Sequence, residues 1–256
     1  MLNTIERRHE IVQLIATKGK VTVPELAAHF SVSTVTIRSD LNELDQRGLI
    51  VRAHGGAMAS SRLSKELSVN EKHDANQAVK QRLAVAVAKL IEDGESIILD
   101  SGTTTEEVAK SLAQHQNLVV MTNGLNVAQQ LVSADGVEVR MTGGTLRKKS
   151  LSFYGRQAES NLQQFHFDKV VLGVDGLDLE LGITTHFEYE AHLNRVMCEA
   201  ARTVIAVTDS SKFARRGLHK ILALDELDIL VTDHGLPEDY RQAFTQAGVR
   251  LILVEQ

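Results

Sequence analysis

Residues 99–107, Leu-Asp-Ser-Gly-Thr-Thr-Thr-Glu-Glu, close an apolar run, turn on a glycine and open a segment of helical pattern. That order of residue types suits an oxyanion. Glycine lets the backbone come close, hydroxyls donate to phosphate oxygens, and a helix N-terminus offers amides and a favourable dipole. Asp100, Ser101, Gly102, Thr103, Thr104 and Thr105 are therefore candidates for a phosphate cradle. Similar groups follow four other apolar runs: Thr122, Asn123 and Gly124; Thr142, Gly143 and Gly144; Asp175 and Gly176; and Asp209 to Lys212. One such group alone is an ordinary turn. Repeated after successive strands, they imply a single polar pocket at the carboxyl ends of a parallel sheet, where open α/β folds bind ligands, with Lys212 supplying positive charge. The lysine and hydroxyl of a P-loop are missing, which disfavours a nucleoside triphosphate.

A second chemistry stays open. Asp175, His186, Glu188, Glu190 and Lys212 include the acids and bases needed to move a proton beside a carbonyl, as in a sugar-phosphate isomerase or deaminase. Other reactive residue types read as structural. Cys198 lies in a helical pattern with no base supplied by a motif. His186 and His192 are six apart and miss the helical zinc spacing, and Arg147 to Lys149 read as a solvated loop, with contact to a phosphate of ligand or DNA as the alternative. No metal, cofactor or catalytic residue is expected.

The elements that would position these groups follow from hydrophobic pattern. From Gln77 onward, apolar runs such as SIILD, NLVVMT, VEVRMT, KVVLGVD, TVIAVT, DILVTD and RLILVE alternate with helical segments. Runs of this kind are strands buried on both faces, so the class is α/β with a mostly parallel sheet over residues 77–256. The chain has 256 residues, 43% hydrophobic content and two prolines, enough for one large and one small domain. Its single cysteine excludes an internal disulfide, and the first residues lack the apolar run of a signal peptide or membrane span, pointing to a cytoplasmic protein with no membrane partner.

Residues 1–58 carry seven Lys/Arg against six Asp/Glu, while the remainder of the chain is acidic. Three helices are expected here: one ending near Lys18, a short one carrying Pro24 and Glu25 in its first turn, and a third capped by Ser33 and stopped by Gly48. On the third, Ile37, Leu41 and Leu44 share a core face. The opposite face carries Val35, Arg38, Ser39 and Asn42, with Ser33, Thr34 and Thr36 at its start. Arginine can fork onto guanine and asparagine onto adenine, so this face suits a major groove, and Arg52 and His54 beyond it could meet phosphate or a minor groove. A helical interaction module with a solvated polar face remains the alternative. Residues 59–76 are polar and small, and read as a linker or short connecting helix.

The run VTVPELAAHFSVSTVTIRSDLNELDQRGLIVRAHGGA resembles the winged helix-turn-helix of DeoR-type bacterial repressors, with Ser39 standing where that family usually has a second arginine. ILDSGTTT, MTNG, MTGGTLR, LGVDG and VTDSSKF are similar to the sensor domain of the same family, whose fold is related to ribose-5-phosphate isomerase and glucosamine-6-phosphate deaminase. Within the family, SFYGRQAE, LNRVMCEA and SSKFARRGLHKI are most similar to regulators of N-acetylgalactosamine and galactosamine utilisation. The resemblance implies a repressor that binds double-stranded operator DNA and answers to a phosphorylated sugar. A homo-oligomer, dimer or tetramer, is expected because one small head with few cations binds weakly and two linked heads gain effective concentration.

Overall fold

A computed structural model describes residues 4–46, 50–53, 55–59 and 66–255. The chain divides into a smaller unit, residues 1–65 with 214–216, and a larger one, residues 66–213 and 217–256.

In the smaller unit α1 (Thr4–Lys18), α2 (Val23–Phe30) and α3 (Thr34–Gln46) pack on a three-stranded antiparallel sheet of order β1 (Lys20–Thr22), β3 (Gly56–Ala59), β2 (Ile50–Ala53). Ile11, Ile15, Leu26, Ile37 and Leu41 are fully buried at its centre. Local sequence sets the helix starts. Thr22 and Glu25 form a reciprocal capping box on α2, with Pro24 in the first turn, and Ser33 Oγ accepts the Thr36 amide at 3.1 Å to cap α3. The β2–β3 hairpin is the expected wing. Its turn takes Gly55 at φ +79°, and a Cβ on Gly56 would stand 2.1 Å from the Val21 carbonyl oxygen. The stop at Gly48 lies outside the described residues.

Asp40, on the inner side of α3, is buried and receives Arg7 Nε at 2.7 Å and Arg8 Nε at 2.8 Å. This double ion pair fixes α1 against α3 without touching the outward face of α3.

The larger unit begins with α4 (Val69–His73) and α5 (Gln77–Ala88). Its centre is a seven-stranded parallel sheet made of the seven apolar runs: β4 (Ser96–Leu99), β5 (Leu118–Thr122), β6 (Val137–Met141), β9 (Phe167–Gly173), β12 (Ala201–Val207), β14 (Ile229–Asp233) and β15 (Arg250–Val254). The spatial order is β15-β14-β12-β9-β4-β5-β6. Both faces are covered, α5 with α6 (Thr103–Leu112) and α7 (Leu125–Leu131) on one, and α8 (Arg156–Leu162), α9 (Glu188–Glu199) and α10 (Glu238–Gln246) on the other. Successive strand residues therefore feed opposite cores: Ile98 packs with Leu193 and Phe244, Ile97 and Leu99 with Leu83 and Val108. Two small antiparallel pieces are added, the hairpin β7 (Thr145–Arg147) with β8 (Ser152–Tyr154), and the sheet β10 (Gly176–Asp178), β11 (Gly182–Thr185), β13 (His219–Leu222). Cys198 is buried on α9, where burial pushes its thiol above the ordinary range.

The order holds one reversal. The chain steps outward from β4 to β5 and β6, then returns to lay β9 on the other side of β4 and continues to β12, β14 and β15. The crevice at such a switch point is where loops part and ligands enter. No helix among the described residues is long and apolar enough to cross a membrane.

Breaking a buried pair by removing one partner costs about 3–5 kcal/mol. Asp40→Asn is expected to lower stability of the small unit by about 3 kcal/mol, read by chemical denaturation of the full chain; a change below about 1 kcal/mol would show that α1 is held by its apolar face alone.

Candidate ligand site and nucleic-acid face

The Asp100 to Thr105 loop lies at the switch point. Asp100 follows β4, its amide donating to the Val171 carbonyl of β9 at 3.0 Å. Its Oδ1 accepts the Ser101 amide at 2.7 Å, and Gly102 at φ +146° leads into α6, whose first turn is Thr103 to Thr105. Only glycine enters that backbone region readily. The first amides of a helix have no partner within it, so this turn presents donors and the positive end of a dipole together.

Neighbouring loops lock this turn. Asn126 Nδ2 donates to the Gly102 carbonyl at 3.1 Å and to Glu106 at 2.8 Å, Thr105 Oγ1 donates to Gly102, and Thr122 Oγ1 accepts the Gly124 amide. A Cβ on Gly124 would lie 3.0 Å from Ser101 Cα, so the second loop packs directly under the first. Thr142 is buried after β6, with its carbonyl held by Asn161, and Gly143 and Gly144 both take positive φ. Thr105, Thr122 and Thr142 thus spend hydroxyls on turn geometry, while Ser101 and Thr104 are half-buried. The side-chain oxygens of Asn123, Asn126 and Asn194 are buried with no protein partner in this region.

The other half of the site is charged. Asp175, just after β9, receives Lys72 Nζ at 2.5 Å. Burial would raise this carboxyl, but Lys72 and Lys212 together hold it far below the usual carboxylate range. Burial likewise works against the Lys72 ammonium, yet Asp175, Glu190 and Glu66 outweigh it and raise its pKa. Glu190, in the first turn of α9, accepts Ser152 Oγ at 3.1 Å and Arg147 Nη1 at 3.3 Å. Arg147 also forms a two-pronged pair with Glu66 and lies over the Phe187 ring at 4.3 Å. Gly176 is buried beyond Asp175, and Lys212 ends a 3₁₀ turn capped by Asp209, which also receives Asn76 Nδ2 at 2.9 Å.

Asp100 is buried beside these groups. Burial first, then the charges of Glu190 and Asp175, push its pKa to about 8, against amide hydrogen bonds from Ser101 and Gly173. His186 is held below its ordinary range, mainly by burial.

Sequence reasoning missed Glu66 and Lys72, which lie in the segment read as a linker, and gave Arg147 to a solvated loop. Arg147 is instead half-buried in ion pairs, because β7 delivers it to α9 and to Glu66, 81 residues away in sequence. No local pattern announces such a pairing.

In the smaller unit, Val35, Arg38, Ser39 and Asn42 are exposed on α3, with Ser33 and Thr34 beside them, and Val35 is 74% exposed. An exposed valine flanked by hydroxyl, amide and guanidinium groups has the chemistry to meet base edges and methyl groups. Thr36 is half-buried, its hydroxyl 2.9 Å from Ser33. Arg52 turns toward α3, where Nη1 donates to Asn42 Oδ1. His54 lies outside the described residues.

A winged helical head joined to an α/β domain with a polar switch-point crevice defines a ligand-responsive DNA-binding regulator. The family models agree: a DeoR-like helix-turn-helix domain matches residues 7–62 and a DeoR C-terminal sensor domain matches residues 75–234, so the chain belongs to the DeoR family. It is 51% identical over 253 residues, 98% of this chain and 94% of the other, to an Escherichia coli O157:H7 protein named for transcriptional repression of the aga operon. It is 35% identical over 249 residues, 97% and 98% of the two chains, to the glycerol-3-phosphate regulon repressor of Escherichia coli K12. A structure of ribose 5-phosphate isomerase A from Methanocaldococcus jannaschii aligns with 55% of this chain and 56% of its own at 14% identity and a TM-score of 0.41. The chain is a transcriptional repressor, not an enzyme.

Asp100 supplies a pH test. Its carboxyl, ordinarily near 3.8, titrates near 8 when folded, so across that interval the folded chain keeps a proton that the unfolded chain releases. Stability contributed by this group therefore falls as pH rises from about 4 to about 8, then levels. Asp100→Asn cannot titrate. Its melting temperature is expected to drop less than that of the unaltered chain between about pH 5.5 and pH 8; equal drops would mean that Asp100 ionises normally.

Proposed function

We propose that the protein represses a carbohydrate catabolic operon, one for an amino sugar such as N-acetylgalactosamine, and that a phosphorylated sugar bound at the switch point alters its hold on operator DNA. The resemblance of SFYGRQAE, LNRVMCEA and SSKFARRGLHKI to regulators of N-acetylgalactosamine and galactosamine utilisation supports the amino sugar, and the similarity to the aga operon repressor supports control of an operon. The glycerol-3-phosphate repressor, named for a small phosphate ester, supports the phosphate. In this reading the α6 N-terminus and the Asp100 to Thr105 loop take the phosphate, and Asp175, Glu190, Lys72 and Lys212 meet the sugar's polar groups. Arg38, Asn42 and the start of α3 meet base edges. The working form is a homo-oligomer, since paired heads raise effective concentration on a two-fold operator.

One observation carries the coupling. The segment that follows the head directly, residues 66–73, brings Glu66 to Arg147 and Lys149, and Lys72 to Asp175. The Val69 amide donates to the Lys149 carbonyl at 3.0 Å, and Lys80 Nζ holds the Lys72 carbonyl at 2.6 Å. A sugar phosphate entering beside Lys72 and Arg147 competes for the cations that fasten this strap, so occupancy is read by the stretch of chain that leads to the DNA-binding head. An isomerase or deaminase site has no such need to incorporate the connection to a second domain.

Calorimetric titration with N-acetylgalactosamine 6-phosphate, galactosamine 6-phosphate and the free sugars tests the site. A phosphorylated form is expected to bind at least about tenfold more tightly than its free sugar, each tenfold being about 1.4 kcal/mol. Gly102→Val, forced into a glycine-only conformation with its Cβ 3.4 Å from Thr105 Oγ1, is expected to lose that binding while melting as a folded protein. Equal affinity for phosphorylated and free sugars, or undiminished binding by Gly102→Val, would contradict the cradle.

A further inference from the structure

Arg52 is tied to α3 along one stripe. Its Nη1 donates to Asn42 Oδ1 and, at 3.4 Å, to the Arg38 carbonyl, while its backbone amide donates to Asp45 Oδ1 at 3.1 Å. Residues 38, 42 and 45 follow one another at helical spacing, so Arg52 fastens strand β2 along two turns of α3. Its Nε is buried without a partner, so the guanidinium is turned inward at that atom too.

The chemistry of this contact is one-sided. A guanidinium offers N–H groups and no acceptor, so the Asn42 atom facing it must be the amide oxygen. The Asn42 Nδ2, with two N–H groups, is what remains for a partner. Asparagine reads adenine by using both ends, accepting from N6 and donating to N7; guanine instead presents two adjacent acceptors, N7 and O6. Oδ1 keeps a second lone pair, but with this oxygen turned onto the Arg52 guanidinium the paired accept-and-donate contact that adenine N6 and N7 require is disfavoured.

We propose that Arg52 is a positioning residue that holds the Asn42 oxygen toward β2 and leaves Nδ2 as the end offered to the groove, and that Asn42 consequently selects guanine rather than adenine. This rests on the reading of α3 as the helix that enters the groove. It replaces the asparagine–adenine pairing expected from residue type alone, and it takes Arg52 away from phosphate.

The test is selection from a randomised DNA duplex pool by the purified full chain, with affinities for the selected duplexes then measured across a salt series. The unaltered protein is expected to select guanine at the position that Asn42→Ala makes indifferent. Arg52→Ala frees Oδ1, and the guanine-to-adenine preference there is expected to fall at least about fivefold, the lower end of what one bidentate contact discriminates. Arg52→Lys, which keeps a donor for Oδ1, is expected to retain guanine, and matched melting curves confirm that the variants are folded. The salt slope of Arg52→Ala is expected to equal that of the unaltered chain, whereas losing a phosphate contact would reduce it by about 0.9. A reduced slope with unchanged base preference would overturn the role assigned to Arg52. A base preference untouched by Asn42→Ala would overturn the reading of α3, and the proposal with it.

Discussion

Asp100, Asp175 and Glu190 share the carboxyl end of one parallel sheet, Asp100 and Glu190 buried and Asp175 half-buried, and like charges brought together out of water must be neutralised or matched. The three do so differently. Asp100 keeps its proton, with a pKa near 8. Asp175 stays ionised through Lys72 and Lys212, and Glu190 is met by Arg147 and Ser152. The matching cations lie off the central sheet: Lys72 is on α4, Arg147 on the β7 hairpin, and Lys212 on a turn beyond β12. Satisfying the crevice therefore fixes the peripheral elements, and the strap over residues 66–73 is the one that continues from the head. Under the proposed function, a ligand that rearranges charge in this crevice acts on the strap without any separate relay.

The smaller unit solves its own charge problem on the two sides of α3. Inside, Asp40 gathers Arg7 and Arg8 and fixes α1 to the helix. Outside, Arg52 fastens the wing strand β2 to the same helix and leaves Arg38 and Ser39 exposed. A helix held from both sides has little freedom to adjust to a base edge, which favours preorganised readout over adaptive fit.

Hydrophobic pattern carried much of this architecture. Seven apolar runs became the seven parallel strands because the inner strands are buried on both faces over most of their length, while the edge strands β6 and β15 are only partly covered, and period 3.6 on α3 separated Ile37, Leu41 and Leu44 from the outward residues. Turn chemistry located the five loops, since a parallel sheet brings its strand ends to one edge. The short antiparallel pieces were not legible: Thr145–Arg147 and Gly176–Asp178 are three residues long, with no alternation to distinguish them from loops. Nor were Glu66 and Lys72, whose partners lie 81 and 103 residues away and are chosen by topology rather than by neighbours in sequence. The hydroxyls of Thr105 and Thr122 show a related gap, because residue type suggested donors for a ligand while local geometry turns them onto their own loops.

The central claim, that sugar-phosphate occupancy is read by the strap, is tested most directly by amide hydrogen exchange on the full chain with and without galactosamine 6-phosphate or N-acetylgalactosamine 6-phosphate, whichever binds. Exchange is expected to slow at residues 100–105 and to change in the same titration at residues 66–73, with residues 137–141 of the edge strand β6 unaffected. Protection at residues 100–105 with no change at residues 66–73 would contradict the account, leaving a ligand site that does not speak to the strap.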